Sequence, residues 1–102
     1  MQYIGVDLHK TNLVVCFLPA RGPERILPFS LERDGLAAFC RQLRPDDEVA
    51  VEVGQNTHYF QEQIHERVKR VVLVDPHRFT VISRSKKKTD RQDASLLARF
   101  LQ

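Results

Sequence analysis

Two short apolar segments of the chain each contain a single acid. Asp7 stands in the run YIGVDL, and Glu52 stands in the run VAVEV. Apolar runs of this length are typical of buried β-strands, where an ionised carboxylate is costly unless a cation or hydrogen-bond donors compensate its charge. Small residues share a strand face with each acid, Gly5 with Asp7 and Ala50 with Glu52. Each acid therefore has space beside it for a metal ion or for the close approach of a backbone.

Periodicity and turn residues predict five strands and three helices in the order βββαβαβα. Tight turns join the first three strands, which are therefore expected to pair antiparallel as a meander. The fourth strand is apolar on both faces and is expected to be central and parallel to its neighbour. This order is typical of the RNase H-like α/β fold, a mixed sheet of three antiparallel strands followed by two parallel strands, with flanking helices. The expected strands are residues 2–9, 11–19, 25–31, 48–53 and 71–74, and the expected helices are residues 34–43, 57–68 and 89–102.

Length and composition fit one compact domain, since the chain has 102 residues, of which 42% are hydrophobic and 28% are charged. The sequence contains no run of about 18 apolar residues, so we expect no membrane span. It also begins without the features of a secretory signal, and we expect a cytoplasmic location. Cys16 and Cys40 fall on apolar faces and are expected to be buried free thiols, with a disulfide as the alternative.

The net charge of +3 is unevenly distributed along the chain. Residues 1–66 contain six Lys or Arg against ten Asp or Glu, whereas residues 67–102 contain ten against three. Such an asymmetry favours a polyanionic partner such as nucleic acid, and a solvated lysine loop is the alternative. The expected nucleic-acid-binding side chains are those of Lys10, Arg84, Lys86, Lys87, Lys88 and Arg91.

Asp90 and Asp93 begin the last predicted helix, directly after the most basic segment. A spacing of three residues puts both acids on one helix face. The apolar residues that continue this face are Leu96, Leu97, Phe100 and Leu101. The two carboxylates are therefore expected to point toward the sheet, whereas a solvated pair would lie on the opposite face. Helix capping is the alternative, because Thr89-Asp90-Arg91-Gln92 fits a capping box and acids in the first turn of a helix complement its dipole.

Together, Asp7, Glu52, Asp90 and Asp93 could hold two Mg²⁺ (or Mn²⁺) ions about 4 Å apart. Such a site activates a water or hydroxyl and stabilises the departing oxygen at a phosphodiester. Each acid also has an ordinary structural explanation, such as a turn or edge position for Asp7 and a buried, hydrogen-bonded position for Glu52. The histidines show no zinc spacing with the cysteines, so a zinc site is not expected. His9 lies near Asp7 in the sequence and could contact a phosphate.

Four segments carry a family resemblance: GVDLHK at residues 5–10, Val51-Glu52 before a glycine-containing turn, Val74-Asp75-Pro76, and KTDRQDA at residues 88–94. Together they resemble the N-terminal domain of the insertion-sequence 110 family of DEDD transposases. The resemblance spans essentially all 102 residues, and the segment at residues 88–94 is its most specific part.

The resemblance implies a RuvC-like catalytic domain over residues 1–102, with Asp7, Glu52, Asp90 and Asp93 as its acidic tetrad. It implies metal-dependent DNA strand cleavage and exchange during transposition in bacteria or archaea, guided by a bridge RNA in the full-length protein, which is expected to be a homo-oligomer acting at the nucleoid. Family members also carry a C-terminal domain with a serine nucleophile. That domain has no counterpart in this sequence, so we expect the chain to be a fragment or a truncated copy.

Other functions stay open at the level of sequence. A standalone RNase H-like nuclease or Holliday-junction resolvase would share the chemistry. An actin-like or sugar-kinase ATPase fragment would also open with a strand, an Asp and a phosphate-binding turn, but such proteins favour glycine where His9 stands. A catalytically silent nucleic-acid-binding or oligomerisation module would not require the four acids to converge.

Overall fold

A computed structural model of the protein describes residues 1–77 and 90–102. Within these residues, the strands and helices follow one another in the order β1-β2-β3-α1-β4-α2-β5-α3. The strands are β1 (Gln2–Leu8), β2 (Asn12–Pro19), β3 (Arg25–Ser30), β4 (Glu48–Glu52) and β5 (Arg70–Val74). The helices are α1 (Arg33–Cys40), α2 (Thr57–Ile64) and α3 (Asp90–Phe100).

The strands form a single sheet in the order β3-β2-β1-β4-β5. β2 pairs antiparallel with both β1 and β3, whereas β4 pairs parallel with both β1 and β5. These directions confirm the predicted meander, the central position of β4 and the RNase H-like fold class. β4 lies inside the sheet, between β1 and β5. Its first four residues are buried, so both of its faces are covered by other parts of the protein.

One face of the sheet is covered by α1 and α2, with an aromatic core between the layers. Phe17 of β2 packs against Phe39 of α1, and Phe39 stacks on Phe60 of α2, with ring-centroid distances of 6.2 and 5.8 Å. All three rings are fully buried, and burial of one such side chain contributes about 1.5–3 kcal/mol. This core holds α2 on the sheet and so determines where the turn between β4 and α2 lies.

The other face of the sheet is covered by α3, which lies very close to β1. Ala94 and Ala98 are fully buried in this interface. A methyl group added to Gly5 would overlap the carbonyl oxygen of Ala94 and the backbone nitrogen of Ala98. The absence of a side chain at Gly5 is therefore what allows the helix backbone to approach the strand.

The predicted apolar stripe of α3 is wrong at one position, because Phe100 is 37% exposed. Leu97 is buried as expected, and Leu96 and Leu101 pack partly against the sheet. The centre of the interface is formed instead by the two alanines of α3. Small residues permit the short distance between helix and sheet, and a stripe chosen by hydrophobicity alone does not identify them.

A polar cluster attaches α3 to the turn between β2 and β3. The carboxylate of Glu24 accepts hydrogen bonds from Ser95 Oγ at 2.9 Å and from Arg99 Nη2 at 3.1 Å. The thiol of Cys16 donates to the same carboxylate at 3.6 Å. Burial, reinforced by the negative charge of Glu24, raises the pKa of the Cys16 thiol to about 12. Cys16 and Cys40 are both buried and free, as predicted.

Asp47 is a fully buried acid with a structural role. Its carboxylate accepts hydrogen bonds from the backbone N–H groups of Gln2 and Arg44, both at 2.9 Å. These bonds join the start of β1 to the turn before β4 and compensate the buried negative charge. From the sequence alone, Pro45-Asp46-Asp47 is expected only to end the helix before it.

Several sequence predictions near the C-terminal end concern residues that are not described. The sequence is compatible with a short helix near Phe79 and Ile82 and predicts an exposed loop over residues 83–88. Both segments, and the predicted cap at Thr89, lie outside the described residues. Among the residues that are described, no helix has the length and apolar character needed to cross a membrane.

Candidate active site

Asp7 and Glu52 lie beside each other at one edge of the sheet. β1 and β4 pair in parallel with Val6 opposite Val51, and the next residue in the same register is Asp7 on one strand and Glu52 on the other. Both acids stand at the carboxyl ends of their strands. That edge of a parallel pair is the usual place for a ligand site in α/β proteins. Strand pairing therefore brings the first two predicted acids together.

Asp93 of α3 reaches the same edge from the helix that covers β1. Asp93 immediately precedes Ala94, whose backbone rests on Gly5, two residues before Asp7. The Oδ1 atom of the Asp93 carboxylate is buried. The prediction that Asp93 faces the sheet is therefore confirmed, and the close contact between Gly5 and α3 is what holds the helix in this position.

The three carboxylates line one pocket with a volume of about 370 Å³. Asp7, Glu52 and Asp93 come from a strand, a second strand and a helix, respectively. The rest of the lining comes from the turn after β1 and the turn after β4, and consists of Leu8, His9, Lys10, Val53, Gly54 and Gln55. The pocket thus combines three acids with one histidine and one lysine.

His9 contacts Asp7 directly, since its Nε2 atom lies 3.0 Å from Oδ2 of the Asp7 carboxylate. The Asp7 side chain is 18% exposed and that of His9 is 36% exposed. A carboxylate that binds a ligand is commonly oriented by a second group that hydrogen-bonds to it. This contact places the His9 ring where it can orient the Asp7 carboxylate, and the phosphate contact for His9 stays a prediction.

Asn56 connects the two turns that border the pocket. Its side-chain amide donates hydrogen bonds to the backbone carbonyl of Lys10 at 3.1 Å and, more weakly, to that of His9 at 3.4 Å. Asn56 has a φ of 69°, a left-handed conformation that asparagine tolerates better than most residues. The next residue, Thr57, is buried; its hydroxyl donates to the carbonyl of Glu52 at 3.2 Å and accepts from the N–H of Gly54 at 2.7 Å.

No pattern in the sequence indicated the role of Asn56. The sequence predicts Asn56 or Thr57 as the cap of α2, in a turn whose backbone N–H groups could meet an anion. The side chain of Asn56 makes no capping hydrogen bond to the helix. Its partners, the carbonyl groups of His9 and Lys10, are 47 and 46 residues away along the chain. The available signal was the residue type alone, because asparagine in a strand-to-helix turn suits a left-handed conformation.

The donor atoms of the pocket suit a hard divalent cation. Asp7, Glu52 and Asp93 offer carboxylate oxygens, the ligand type that Mg²⁺ and Mn²⁺ prefer. Within residues 1–77 and 90–102, no three His, Cys, Asp or Glu side chains are grouped closely enough to count as a metal site. The three acids thus fit such an ion by their chemical type and by lining the same pocket. To bind the ion, their side chains would have to move closer together.

The remaining predicted site residues divide into two groups. Lys10 is exposed at the rim of the pocket, and Arg91 is exposed in the first turn of α3. Asp90 is the first residue of α3, and its side chain is outside the part that the structure describes. Also outside that part are Arg84, Lys86, Lys87 and Lys88.

Comparison with known families identifies the kind of protein to which this pocket belongs. A family model described as a transposase, of the DEDD type of insertion sequence 110, matches residues 4–102. The chain belongs to the insertion-sequence 110 family of DEDD transposases. Among curated proteins, none matches the chain.

Membership agrees with the resemblance found in the sequence segments. A transposase acts on DNA, and the DEDD transposases as a family use divalent metal ions. In this chain the segment from residue 4 onward contains the pocket, both turns that border it and the whole of α3.

Proposed function

We propose that this chain is the metal-dependent catalytic domain of a transposase, cleaving and exchanging DNA strands at the pocket lined by Asp7, Glu52 and Asp93. The observation that carries the proposal is that these carboxylates, from three separate elements, line one pocket in a chain of the DEDD transposase family. Asp90 is the fourth member of the acidic tetrad, three residues before Asp93 in the same helix.

In this function the four acids would hold Mg²⁺ or Mn²⁺. The chemistry that bound metal supplies is activation of an attacking hydroxyl and stabilisation of the departing oxygen at a phosphodiester. The protein's own contribution is to position the acids. The β1–β4 register fixes Asp7 and Glu52, and the contact of α3 with Gly5 fixes Asp93.

The side chains around the acids support this positioning and bind the substrate. His9 orients the Asp7 carboxylate through the 3.0 Å contact with Oδ2. Lys10, at the pocket rim, would contact a DNA phosphate close to the reacting one. The basic residues Arg84, Lys86, Lys87, Lys88 and Arg91 would bind the DNA backbone further from the pocket.

The wider biology follows the family. Residues 1–102 would form the RuvC-like domain of a transposase that works in the bacterial or archaeal cytoplasm, at the nucleoid. In the full-length protein a bridge RNA would select the target and donor DNA, a C-terminal domain would supply the serine nucleophile, and copies of the protein would assemble as a homo-oligomer.

Metal binding provides the direct test of the pocket. We expect Mg²⁺ titration, followed by amide chemical shifts, to give saturable changes at residues 7–10, 52–55 and 93. Mn²⁺ should broaden the same resonances selectively, because paramagnetic relaxation falls steeply with distance from the ion. Asp7→Asn, Glu52→Gln and Asp93→Asn should each weaken binding at least about tenfold, since each removes a charged ligand.

An exposed acid outside the pocket gives the matched control. Glu66→Gln changes the net charge by the same amount and should leave Mg²⁺ affinity unchanged. Binding that survives Asp7→Asn, or that weakens equally in Glu66→Gln, would contradict the site. DNA binding without any saturable metal binding would favour a silent binding module.

A further inference from the structure

The outer face of α1 and α2 carries a groove that is lined by none of the described residues of the carboxylate pocket. It has a volume of about 530 Å³ and lies between the two helices, and Leu36 forms part of its floor. Because α1 and α2 cover one face of the sheet and α3 covers the other, the groove is on the side of the molecule away from α3.

The charged residues of this groove are all arginines. Arg33 and Arg41 stand at the two ends of α1, and Arg67 stands in the turn that follows α2. Among the residues that the structure describes, no acidic side chain lines the groove. The groove is therefore positive although residues 1–66 as a whole carry more acids than bases.

The three arginines have no evident part in holding the fold together. Within the described ranges none of them forms an ion pair with a carboxylate, and all three are exposed. Other arginines show the contrast: Arg70 pairs with buried Glu48 at 2.7 Å, and Arg99 pairs with Glu24 at 3.1 Å. Arg33 also stands in the first turn of α1, where the helix dipole favours acids rather than bases.

An exposed aromatic ring completes the groove. Tyr59 is 50% exposed, and Gln63 follows it by one turn of α2 on the same helix face. Arg33 and Arg41 are separated by eight residues of helix, which corresponds to about 12 Å. That length is enough for a few consecutive nucleotides of a single strand.

We propose that the groove between α1 and α2 binds a single-stranded segment of nucleic acid, with Arg33, Arg41 and Arg67 contacting phosphates and Tyr59 stacking on a base. A positive groove with an exposed aromatic ring is the combination that binds single strands without reading their sequence. The choice of nucleic acid as ligand rests on the proposed function, whereas the groove itself uses none of the four carboxylates.

The site would give the domain a second contact with nucleic acid, separate from the strand that is cut. α2 links the two places physically. Gln55, in the turn just before α2, lines the carboxylate pocket, and Tyr59 lines the groove four residues later. A strand held in the groove would therefore pass within about one turn of α2 from the pocket.

The test measures the affinity of the 102-residue protein for a fluorescein-labelled oligothymidylate, by anisotropy at several salt concentrations with EDTA present. The groove variant combines Arg33→Gln, Arg41→Gln and Arg67→Gln. The control combines Arg21→Gln, Arg44→Gln and Lys69→Gln, which removes the same charge from exposed positions elsewhere. We expect the groove variant to bind at least about tenfold more weakly. Its plot of log affinity against log salt should also be shallower by about 2, since each phosphate contact to a single strand contributes about 0.7.

Tyr59→Leu should weaken binding several-fold and leave the salt dependence unchanged, because a stacking contact releases no counterions. In the wild-type protein, the amides of Tyr59 and Gln63 should shift when the oligothymidylate is added. Equal losses in the groove variant and its control, or unchanged Tyr59 and Gln63 resonances, would overturn the proposal. So would polyglutamate binding as tightly as the oligonucleotide, or a protein dimer that the groove variant abolishes.

The two proposals fail in different ways. The doubly substituted Asp7→Asn, Glu52→Gln protein should keep its affinity for the oligothymidylate in EDTA, and the groove variant should keep its Mg²⁺ affinity. If the wild-type protein binds oligothymidylate through the groove but does not bind Mg²⁺, the catalytic pocket is rejected and the groove stands. If it binds Mg²⁺ in the pocket but the groove variant binds oligothymidylate as well as the control does, the groove is rejected and the pocket stands.

Discussion

Asn56 shows how one side chain can hold two loops of a site together. Its amide bonds the turn after β1, which carries His9 and Lys10, to the turn after β4, which follows Glu52. The left-handed φ of 69° at Asn56 is what aims the amide across the gap. Substitution can separate the contribution of the hydrogen bonds from that of the backbone conformation. Glycine adopts the left-handed conformation without making the bonds, whereas alanine lacks the bonds and is also strained in that conformation.

We expect Asn56→Gly to lower the free energy of unfolding by about 1 kcal/mol, the value of the lost hydrogen bonds. Asn56→Ala should cost about 1 kcal/mol more, because a β-carbon is strained in the left-handed region. Urea unfolding followed by circular dichroism measures both, with exposed Gln55→Ala as the control. Equal stability of the glycine and alanine variants would show that the backbone strain is absent.

Cys16 gives the protein a predictable response to alkaline pH. Its thiol has a pKa of about 12 when folded, against an ordinary value of 9.0, because burial and the Glu24 carboxylate disfavour the thiolate. The contribution to stability is therefore complete below pH 9.0 and is lost as the pH rises from there towards about 12. Between pH 8 and pH 10.5, a range that includes the pH at which this loss begins, the wild-type protein should lose stability more steeply than Cys16→Ala. Urea unfolding at several pH values measures the difference. Parallel curves for the two proteins would contradict this.

At the scale of elements, the contact between β1 and α3 controls the site. Gly5 allows the backbone of α3 to lie on the strand, and Asp93 is carried on the helix immediately before the contact residue Ala94. The same helix is also held by hydrogen bonds to Glu24 from Ser95 in its middle and from Arg99 near its C-terminal end. The position of the third acid thus depends on how closely a helix packs.

Gly5→Ala is expected to destabilise the protein by about 3 kcal/mol, because the added methyl group meets helix backbone, which cannot move aside as a side chain would. The control is Gly54→Ala, since an added β-carbon there meets nothing within 4 Å. Thermal unfolding should separate the two variants clearly. Gly5→Ala should also weaken Mg²⁺ binding by withdrawing Asp93, and a variant with unchanged stability and metal affinity would show that α3 does not need this close contact.

At the scale of the whole molecule, acidic and basic residues are concentrated in different parts of the chain. The acids that converge at the sheet edge lie beside Lys10, and the basic segment before α3 lies close to them in the sequence. In the proposed function, net positive charge in the C-terminal part of the chain would attract DNA over a distance, while the local acids would bind cations. The two charges would then serve different steps, first association with the polyanion and then the chemistry.

Replacing Lys86, Lys87 and Lys88 by glutamine should weaken binding to every DNA duplex by a similar factor. The slope of log affinity against log salt should become shallower by up to about 2.7, if all three lysines contact phosphates. Anisotropy with two duplexes of unrelated sequence, at several salt concentrations, measures both effects. A loss confined to one of the duplexes would mean that these lysines read bases rather than phosphates.

Much of the fold could be predicted because its signals are local. Alternation and turns placed all five strands within one or two residues, and the apolar character of both faces placed β4 inside the sheet. α1 and α2 were predicted longer than they are, since Leu43 and Val68 lie beyond the last helical residues. Apolar residues continue past a helix when the following turn also packs on the core, as Val68 does.

The sequence by itself determined the layer architecture and three acids that line the pocket, because the periods of strands and helices dictate which side chains share a face. Only the tertiary structure decided how those acids are held. Asn56 bonds to carbonyl groups 46 and 47 residues away, and α3 passes closely over Gly5. Asp47 is buried between two segments, and the contact of His9 with Asp7 depends on the geometry of the turn after β1. Such contacts depend on distances between backbones, and no local pattern of residue types encodes those distances.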